Sequence, residues 1–351
     1  MRRIATAVCA LTLSLLLVAP TSSAQTPGSY DPQDLEDLDN LSRALQVVGT
    51  EYANRYVQPV SDALGSGLNA GLFRTAEVGG GIFPLVDIYV GVSVSGALMA
   101  HSDKVFPTDF QETLSGPGGQ QLTLRFQNPQ GTAPTAFGNT EPPANQLIIE
   151  DEQGNEVSTT LPPGLVDTPV APLVIPQVGI GSLFGTDVQL RYLPETRLYK
   201  YGTVGLFGVA VRHSLSQYIP LSPLSLSVQG AWNRASMNTR SFNTSGSLSF
   251  DEVIDASGWA FNVQASKSLP VLPVTFYGGL QYETFDVAYT YAFDPDQSGS
   301  FNPITLEVDQ DASNRFRGLA GVSLTLAVVR VNIDYALSAN DAVTFGLGFK
   351  L

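Results

Sequence analysis

The sequence predicts an antiparallel β-barrel that crosses a membrane, and three observations predict it. Apolar and polar residues alternate with period two along segment after segment from Leu85 onward. Only 14% of the 351 residues are charged while 43% are hydrophobic, against roughly 25% charged in an ordinary soluble domain. The last segment sets Val343, Phe345, Leu347, Phe349 and Leu351 on one face, with Thr344, Gly346, Gly348 and Lys350 on the other. A strand with one oily and one wet face suits a wall between lipid and lumen. Closure follows because an open sheet edge is not tolerated in lipid.

Composition excludes other classes. Repeated apolar runs of about 20 residues, as transmembrane helices need, do not occur. A formal net charge of −14 repels phosphates, so nucleic acid is not a partner. One Cys and two His are too few for thiol or metal chemistry built on those residues, and no cofactor is expected.

Arg2 and Arg3, the apolar stretch Ile4 to Val18, and Ser22 and Ala24 before Gln25 read as a secretory signal peptide over 1–24. Cys9 lies inside it. Next, Leu35, Leu38, Leu41, Leu45, Val48 and Tyr52 recur at helical spacing, with Asp34, Glu36, Asp37 and Asp39 where a helix N-terminus favours acids. Residues 25–66 are therefore expected to be an N-terminal helical segment, either a plug in the lumen or a cover over the periplasmic mouth.

The barrel is assigned to 67–351. Strands are expected near 86–98, 180–192, 201–215, 223–239, 257–268, 273–292, 314–326, 328–338 and 342–351, with 67–78 as a tenth. Tyr and Trp near strand ends suit the interfacial girdles of such barrels. Links near 218–223, 269–273 and 326–329 are short, and those near 193–200, 240–256 and 293–313 are long. Short periplasmic turns and long outer loops are the rule in bacterial barrels. The count is about 10, or 12 if the insert 99–179 adds a hairpin. Residues 99–179 read as an irregular insert, on the periplasmic side or in the lumen.

The stretches Tyr56-Val-Gln-Pro59, Gly65-Ser-Gly-Leu-Asn-Ala-Gly71 and Phe184-Gly-Thr-Asp-Val-Gln-Leu-Arg-Tyr-Leu-Pro194 resemble a group of uncharacterised Gram-negative outer-membrane barrels. These are placed distantly near FadL-type transporters of hydrophobic compounds. The resemblance implies the fold and an outer-membrane location. The NPA signature of the FadL type is absent.

The candidate lumen-lining residues are Asp187, Gln189, Arg191, Asn262, Gln264, Gln281, Glu283, Arg315, Arg317, Arg330, Asn332 and Asp334. Mixed arginine and carboxylate on an inner wall fills a narrow barrel or lines a pore. Phe345, Leu347, Phe349 and Leu351 form the expected assembly signal, which the barrel assembly machinery reads in proteins of this kind. Asp294, Asp296 and Ser298 match the opening of a calcium loop, but position twelve is Thr305 and not an acid. His213 and Ser214 are strand neighbours that point to opposite faces, and His101 has no evident partner, so no enzyme is expected. The expected function is passive passage of small or hydrophobic solutes. The alternatives are a plugged structural or adhesion barrel and an integral membrane hydrolase. Outer-membrane lipid, the assembly machinery and a small-molecule solute are the expected partners.

Overall fold

The computed structural model describes residues 52–78, 87–108, 110–115, 121–128, 130–142, 146–150, 156–160, 163–164, 166–197, 203–219, 221–240, 249–294 and 304–351. The expected signal peptide 1–24, the helical pattern of 34–51, and Asp296 and Ser298 lie outside the described residues.

Helix α1 covers 52–68 and is followed by an irregular run, 69–78. The strands are β1 (Asp87–Leu98), β2 (Val105–Pro107), β3 (Phe110–Ser115), β4 (Gln121–Gln127), β5 (Thr132–Pro134), β6 (Gln146–Glu150) and β7 (Glu156–Thr160). They continue with β8 (Val170–Leu183), β9 (Thr186–Arg197), β10 (Thr203–Ser214), β11 (Ser225–Arg240), β12 (Ser249–Ser268) and β13 (Val274–Asp294). The last are β14 (Ile304–Asp311), β15 (Phe316–Leu326), β16 (Val329–Leu337) and β17 (Ala342–Lys350).

Ten strands close into a ring in the order β1, β8, β9, β10, β11, β12, β13, β15, β16, β17 and back to β1, every pair antiparallel. Ile88 and Leu351 exchange both backbone hydrogen bonds at the seam, 3.2 and 2.8 Å. β14 is an eleventh strand on the same side of β13 as β15. Asp286 pairs with Asp311 and Tyr282 with Phe316, so this side carries one residue more than β13 over the same stretch. The ladder is bridged by Ala312 N–H to Phe285 O (2.8 Å) and Glu283 N–H to Arg315 O (2.9 Å). Residues 312–315 are thus a one-residue bulge in a single long wall strand.

Alternation shows directly in burial. On β17, Ala342, Thr344, Gly346 and Gly348 are buried, while Phe345, Leu347 and Phe349 are exposed. On β1, Tyr89, Ser93 and Ser95 are buried and Val90, Val92 and Val94 exposed. The outward set forms an apolar band around the ring that includes Val178, Leu190, Phe207, Val211, Phe261, Phe276, Leu280 and Ile333. Trp259 stacks on Phe261 within it (6.1 Å between ring centroids, 2° between planes). Such a continuous exposed apolar surface is far beyond what a monomeric soluble protein carries.

Four expectations change. Residues 67–78 are not wall: they end α1 and continue inside the ring, and the wall begins at Asp87. The tenth strand is β8, which takes 170–179 from the expected insert and 180–183 from the expected strand 180–192, so that a turn at 184–185 divides that expected strand and β9 begins at Thr186. Pro172 and Pro176 hide it in the sequence, because proline has no N–H for a ladder. The fold meets this by pairing Val170–Gly181 of β8 with β1 but registering β9 only from Gln177 onward.

This reassignment moves the insert to the other mouth. β1 runs away from the seam residues Ile88 and Leu351, so 99–169 emerges at the end opposite β17's last residue, beside the long links. The two-residue turns at 184–185 and 327–328 lie at the seam end. Nor is the insert irregular throughout, for β3, β4, β6 and β7 pair as a four-stranded sheet and β2 with β5.

Candidate functional site

The inside of the ring is filled by α1 and 69–78. By intrinsic propensity α1 is a poor helix, with Pro59 in its interior and Gly65 and Gly67 in its last turn. The wall holds it. Its last turn lies at the mouth opposite the seam, where Ser66 Oγ donates to Asn340 O (2.8 Å) between β16 and β17, and 69–78 runs on toward the seam end, where Glu77 accepts from Ser268. Tyr52, Tyr56, Val57 and Leu68 pack with Ile254, Phe285, Val287, Tyr289 and Val308 from the wall and with Phe106 and Ala136 from the insert. The insert also binds the helix by hydrogen bonds, Ala136 N–H to Tyr56 O (2.9 Å) and Tyr56 OH to Pro163 O (2.8 Å). A side chain at Gly65 would put its Cβ 2.8 Å from the Ala312 Cβ, so glycine is what lets the helix touch the bulge.

The last turn of a helix leaves four carbonyls without helical partners. Here each has one. Gly65 O keeps its helical bond from Asn69 N–H (3.1 Å), and Asn69 O accepts from Gln281 Nε2 (3.1 Å). Ser66 O accepts from Arg317 Nη2 (3.0 Å) and Gly67 O from Ser95 Oγ (3.0 Å). Leu68 O accepts from Arg191 Nη1 (2.6 Å). Arg191 also donates to Ala70 O and, at 3.4 Å, to Asn233 Oδ1. Two wall arginines therefore cap the C-terminus of α1, where the helix dipole favours cations. Arg317 is paired with Glu283 (2.9 Å), both 1% exposed at the side chain. Arg191 has no ion pair among the described residues.

The bulge is the second anchor. Ser313 N–H donates to Asp62 Oδ1 (2.7 Å) and its hydroxyl to Asp62 Oδ2 (3.2 Å). Asn314 Nδ2 donates to Ser66 Oγ (2.8 Å), and Ser61 Oγ donates to Gln310 Oε1 (2.7 Å). Burial pushes the Asp62 carboxyl above its ordinary value, with the Ser313 bonds opposing. Farther on, Gly71 has a φ of +69°, and a Cβ there would lie 2.0 Å from Ser93 Oγ. Arg212 donates to Thr75 O and pairs with Asp187. Ser266 Oγ accepts from Ala76 N–H (2.9 Å) and Ser268 Oγ donates to Glu77 Oε1 (2.6 Å).

Of the sequence-predicted lumen residues, Gln189, Arg191, Asn262, Gln264, Gln281, Glu283, Arg317, Arg330, Asn332 and Asp334 are buried. Gln281 donates to Asn69 O (3.1 Å), and Gln264 and Asn262 both bond Gln229 Oε1 (2.7 and 3.2 Å). Tyr277 OH donates to Asp334 (2.9 Å). Asp187 is half-buried on Arg212. Arg315 is the outlier: it sits in the bulge, 38% exposed, paired with Asp311 (3.0 Å). The plug's own contributors, Asp62, Ser66 and Gly71, were missed. The motif around Gly65 to Gly71 held the signal, since closely spaced glycines mark tight backbone approach.

His213 bonds Thr186 Oγ1 through Nδ1 (2.8 Å) and Tyr218 OH through Nε2 (3.0 Å). Those partners do not form a nucleophile and base with Ser214. Asp294 ends β13. No cluster that could hold a metal occurs among the described residues. On the outer wall, an apolar groove of about 870 Å³ crosses between Val211 and Leu337.

The profile of a family of unknown function (DUF6588) matches residues 1–351. The chain belongs to that family. No curated protein gives a match. Among solved structures, this DUF6588 chain is similar to the translocator domain of the autotransporter NalP from Neisseria meningitidis. The identity is 12%, with 87% of this chain and 96% of that chain covered and a TM-score of 0.28. It is similar also to Omp33 from Acinetobacter baumannii (9% identity, 77% and 100% covered, TM-score 0.21). A third is OpdK from Pseudomonas aeruginosa (8%, 76% and 98%, TM-score 0.14). The superpositions are loose, and the architecture stands on the strand pairing itself.

Proposed function

We propose that this chain is an outer-membrane barrel channel held shut at rest by its own N-terminal segment, and that small solutes pass only when 52–78 leaves the lumen. The apolar outer band and the closed ring support the membrane location. The observation that carries the closed state is the capping of α1 by Arg191 and Arg317. The wall behind the plug is polar: Ser93, Ser227 and Ser323 bury hydroxyls without a protein partner among the described residues. Such a wall takes water readily once the plug is gone. In this reading 1–24 directs export, the seam end faces the periplasm, and Phe345, Leu347, Phe349 and Leu351 present the assembly signal. No covalent chemistry is proposed.

The cluster of α1 with the insert favours a second reading, a permanently closed structural barrel. Single-channel recording in planar bilayers separates the two. The full chain should be silent, and deletion of 25–78 should give steady conductance. Silence of both, from chain shown to be folded and inserted, would favour the structural barrel.

A further inference from the structure

The turns at the seam end carry large apolar side chains at their tips. Phe184, between β8 and β9, is 93% exposed, Leu221, between β10 and β11, is fully exposed, and Val271, between β12 and β13, is 90% exposed. Leu272 and Leu326 are exposed beside them. Neighbouring turns are tied to one another along this rim. Ser214 N–H donates to Gly185 O and Thr325 N–H to Pro273 O, both at 2.8 Å.

Turns in water favour Gly, Asn, Asp and Ser. At a positive φ the preference sharpens, because a bulky side chain fits poorly there. Yet the non-glycine residues with positive φ among the described residues are Phe184 (+52°), Leu221 (+60°) and Ala327 (+52°), all in seam-end turns. Asparagine would ease the backbone at each, and a side chain in water would lose little by the change. The surroundings of the tips must therefore favour an apolar group. The length of the wall says what they are. β16 and β17 have nine residues each, the fewest that cross a hydrocarbon core at the usual tilt. At a tilt of about 45° such a strand rises roughly 22 Å, less than the apolar band of about 25 Å that membrane barrels present. At the far end of this hairpin the link 338–341 is polar, and Asp341 accepts from Tyr335 OH (2.6 Å) and Ser338 N–H (3.0 Å). That link keeps to headgroups and water. The turn at 327–328 is then left inside the acyl boundary, and its neighbours on the rim with it. The tips also continue the outward apolar band through Val188 and Leu224.

We propose that the seam-end turns are lipid-binding tips, with Phe184, Leu221 and Val271 inserted among the acyl chains of the leaflet on that side. The partner is the acyl chain of a bilayer lipid, and the inserted tips hold the barrel at a fixed depth. This rests on the membrane location proposed above and is independent of whether the plug ever moves.

The test uses the full chain in vesicles of brominated phosphatidylcholine, with bromine near the glycerol end or near the methyl end of the acyl chains. Trp232 and Trp259 are the chain's two tryptophans, and their fluorescence reports the wall. Phe184→Trp and Leu221→Trp, each combined with Trp232→Phe and Trp259→Phe, report the tips. Each tip should lose more fluorescence to bromine near the glycerol end than to bromine near the methyl end, and should be shielded from iodide in the water. Quenched wall tryptophans with tips that answer only to iodide would overturn the insertion alone. Wall tryptophans that also escape bromine would overturn the membrane location itself, and the insertion with it. Leu221→Asn supplies a second arm, since it suits the backbone and removes the anchor. Its urea midpoint in vesicles should fall. A midpoint unchanged or raised would place the tip in water, open to a protein partner, and overturn the proposal.

Discussion

Replacing Arg191 by leucine tests the proposed closed channel at the clamp on α1. The change removes the hydrogen bonds to Leu68 O and Ala70 O and leaves both carbonyls buried. Each charge-assisted bond contributes about 1.5–3 kcal/mol, so the gross loss is about 3–6 kcal/mol. Part returns, because Arg191 is 1% exposed without an ion pair and its Nε lacks a partner, and leucine avoids that desolvation cost. A net loss near 3 kcal/mol shifts the ratio of docked to released plug about a hundredfold. The ring itself should survive, since its ladders do not involve this side chain. Hydrogen exchange over 52–78 should accelerate by that factor, and bilayer recordings should show openings absent from the parent chain. A folded Arg191→Leu barrel with parental exchange and no openings would refute the clamp.

Other perturbations give distinct readouts. Gly71→Ala forces a Cβ into Ser93 Oγ at a positive φ, and exchange over 69–78 should rise as for a loss of about 1–3 kcal/mol. Asp62 has a raised pKa, so its docked form binds its proton more tightly than the released form. Docking is therefore strongest below the ordinary carboxylate range and weakens as pH rises through the raised value. Asp62→Asn should remove that slope from exchange measured over 52–68, and a retained slope would assign it elsewhere. Leu347→Arg places charge on the lipid face of β17 and should lower barrel stability in urea by about 2 kcal/mol in bilayers. Equal stability there would deny that this face meets lipid.

The wall was legible because a half-buried strand writes its two faces into sequence at period two. Val343 to Lys350 and Trp259 to Ser266 needed no tertiary information. β8 was illegible because Pro172 and Pro176 argue against a strand, and they are admitted only because that half of β8 pairs with β1 alone, the β9 register starting at Gln177. That single omission also placed the insert at the wrong mouth. Inward polar residues such as Gln189 and Gln281 followed from phase, whereas their partners did not. Nothing in the wall sequence says that Arg191 ends on carbonyls of Leu68 and Ala70, over a hundred positions away. The bulge at 312–315 was equally hidden, since one extra residue becomes visible only against its opposing strand.

The seam joins Ile88 to Leu351, so the ring becomes a ring only when its first and last strands meet. The segment inside it comes before both. Residues 52–78 therefore either lie in place while the wall is laid around them or are threaded through a finished hoop, past side chains packed to contact. A stave bent around a former keeps its curve more easily than one bent in air. With α1 as the former, distant strands are gathered against one surface before they close, which lowers the entropic cost of joining ends so far apart in sequence. The plug is then a tool of manufacture as well as a stopper, and chains lacking it should close more slowly even where the finished barrel is sound.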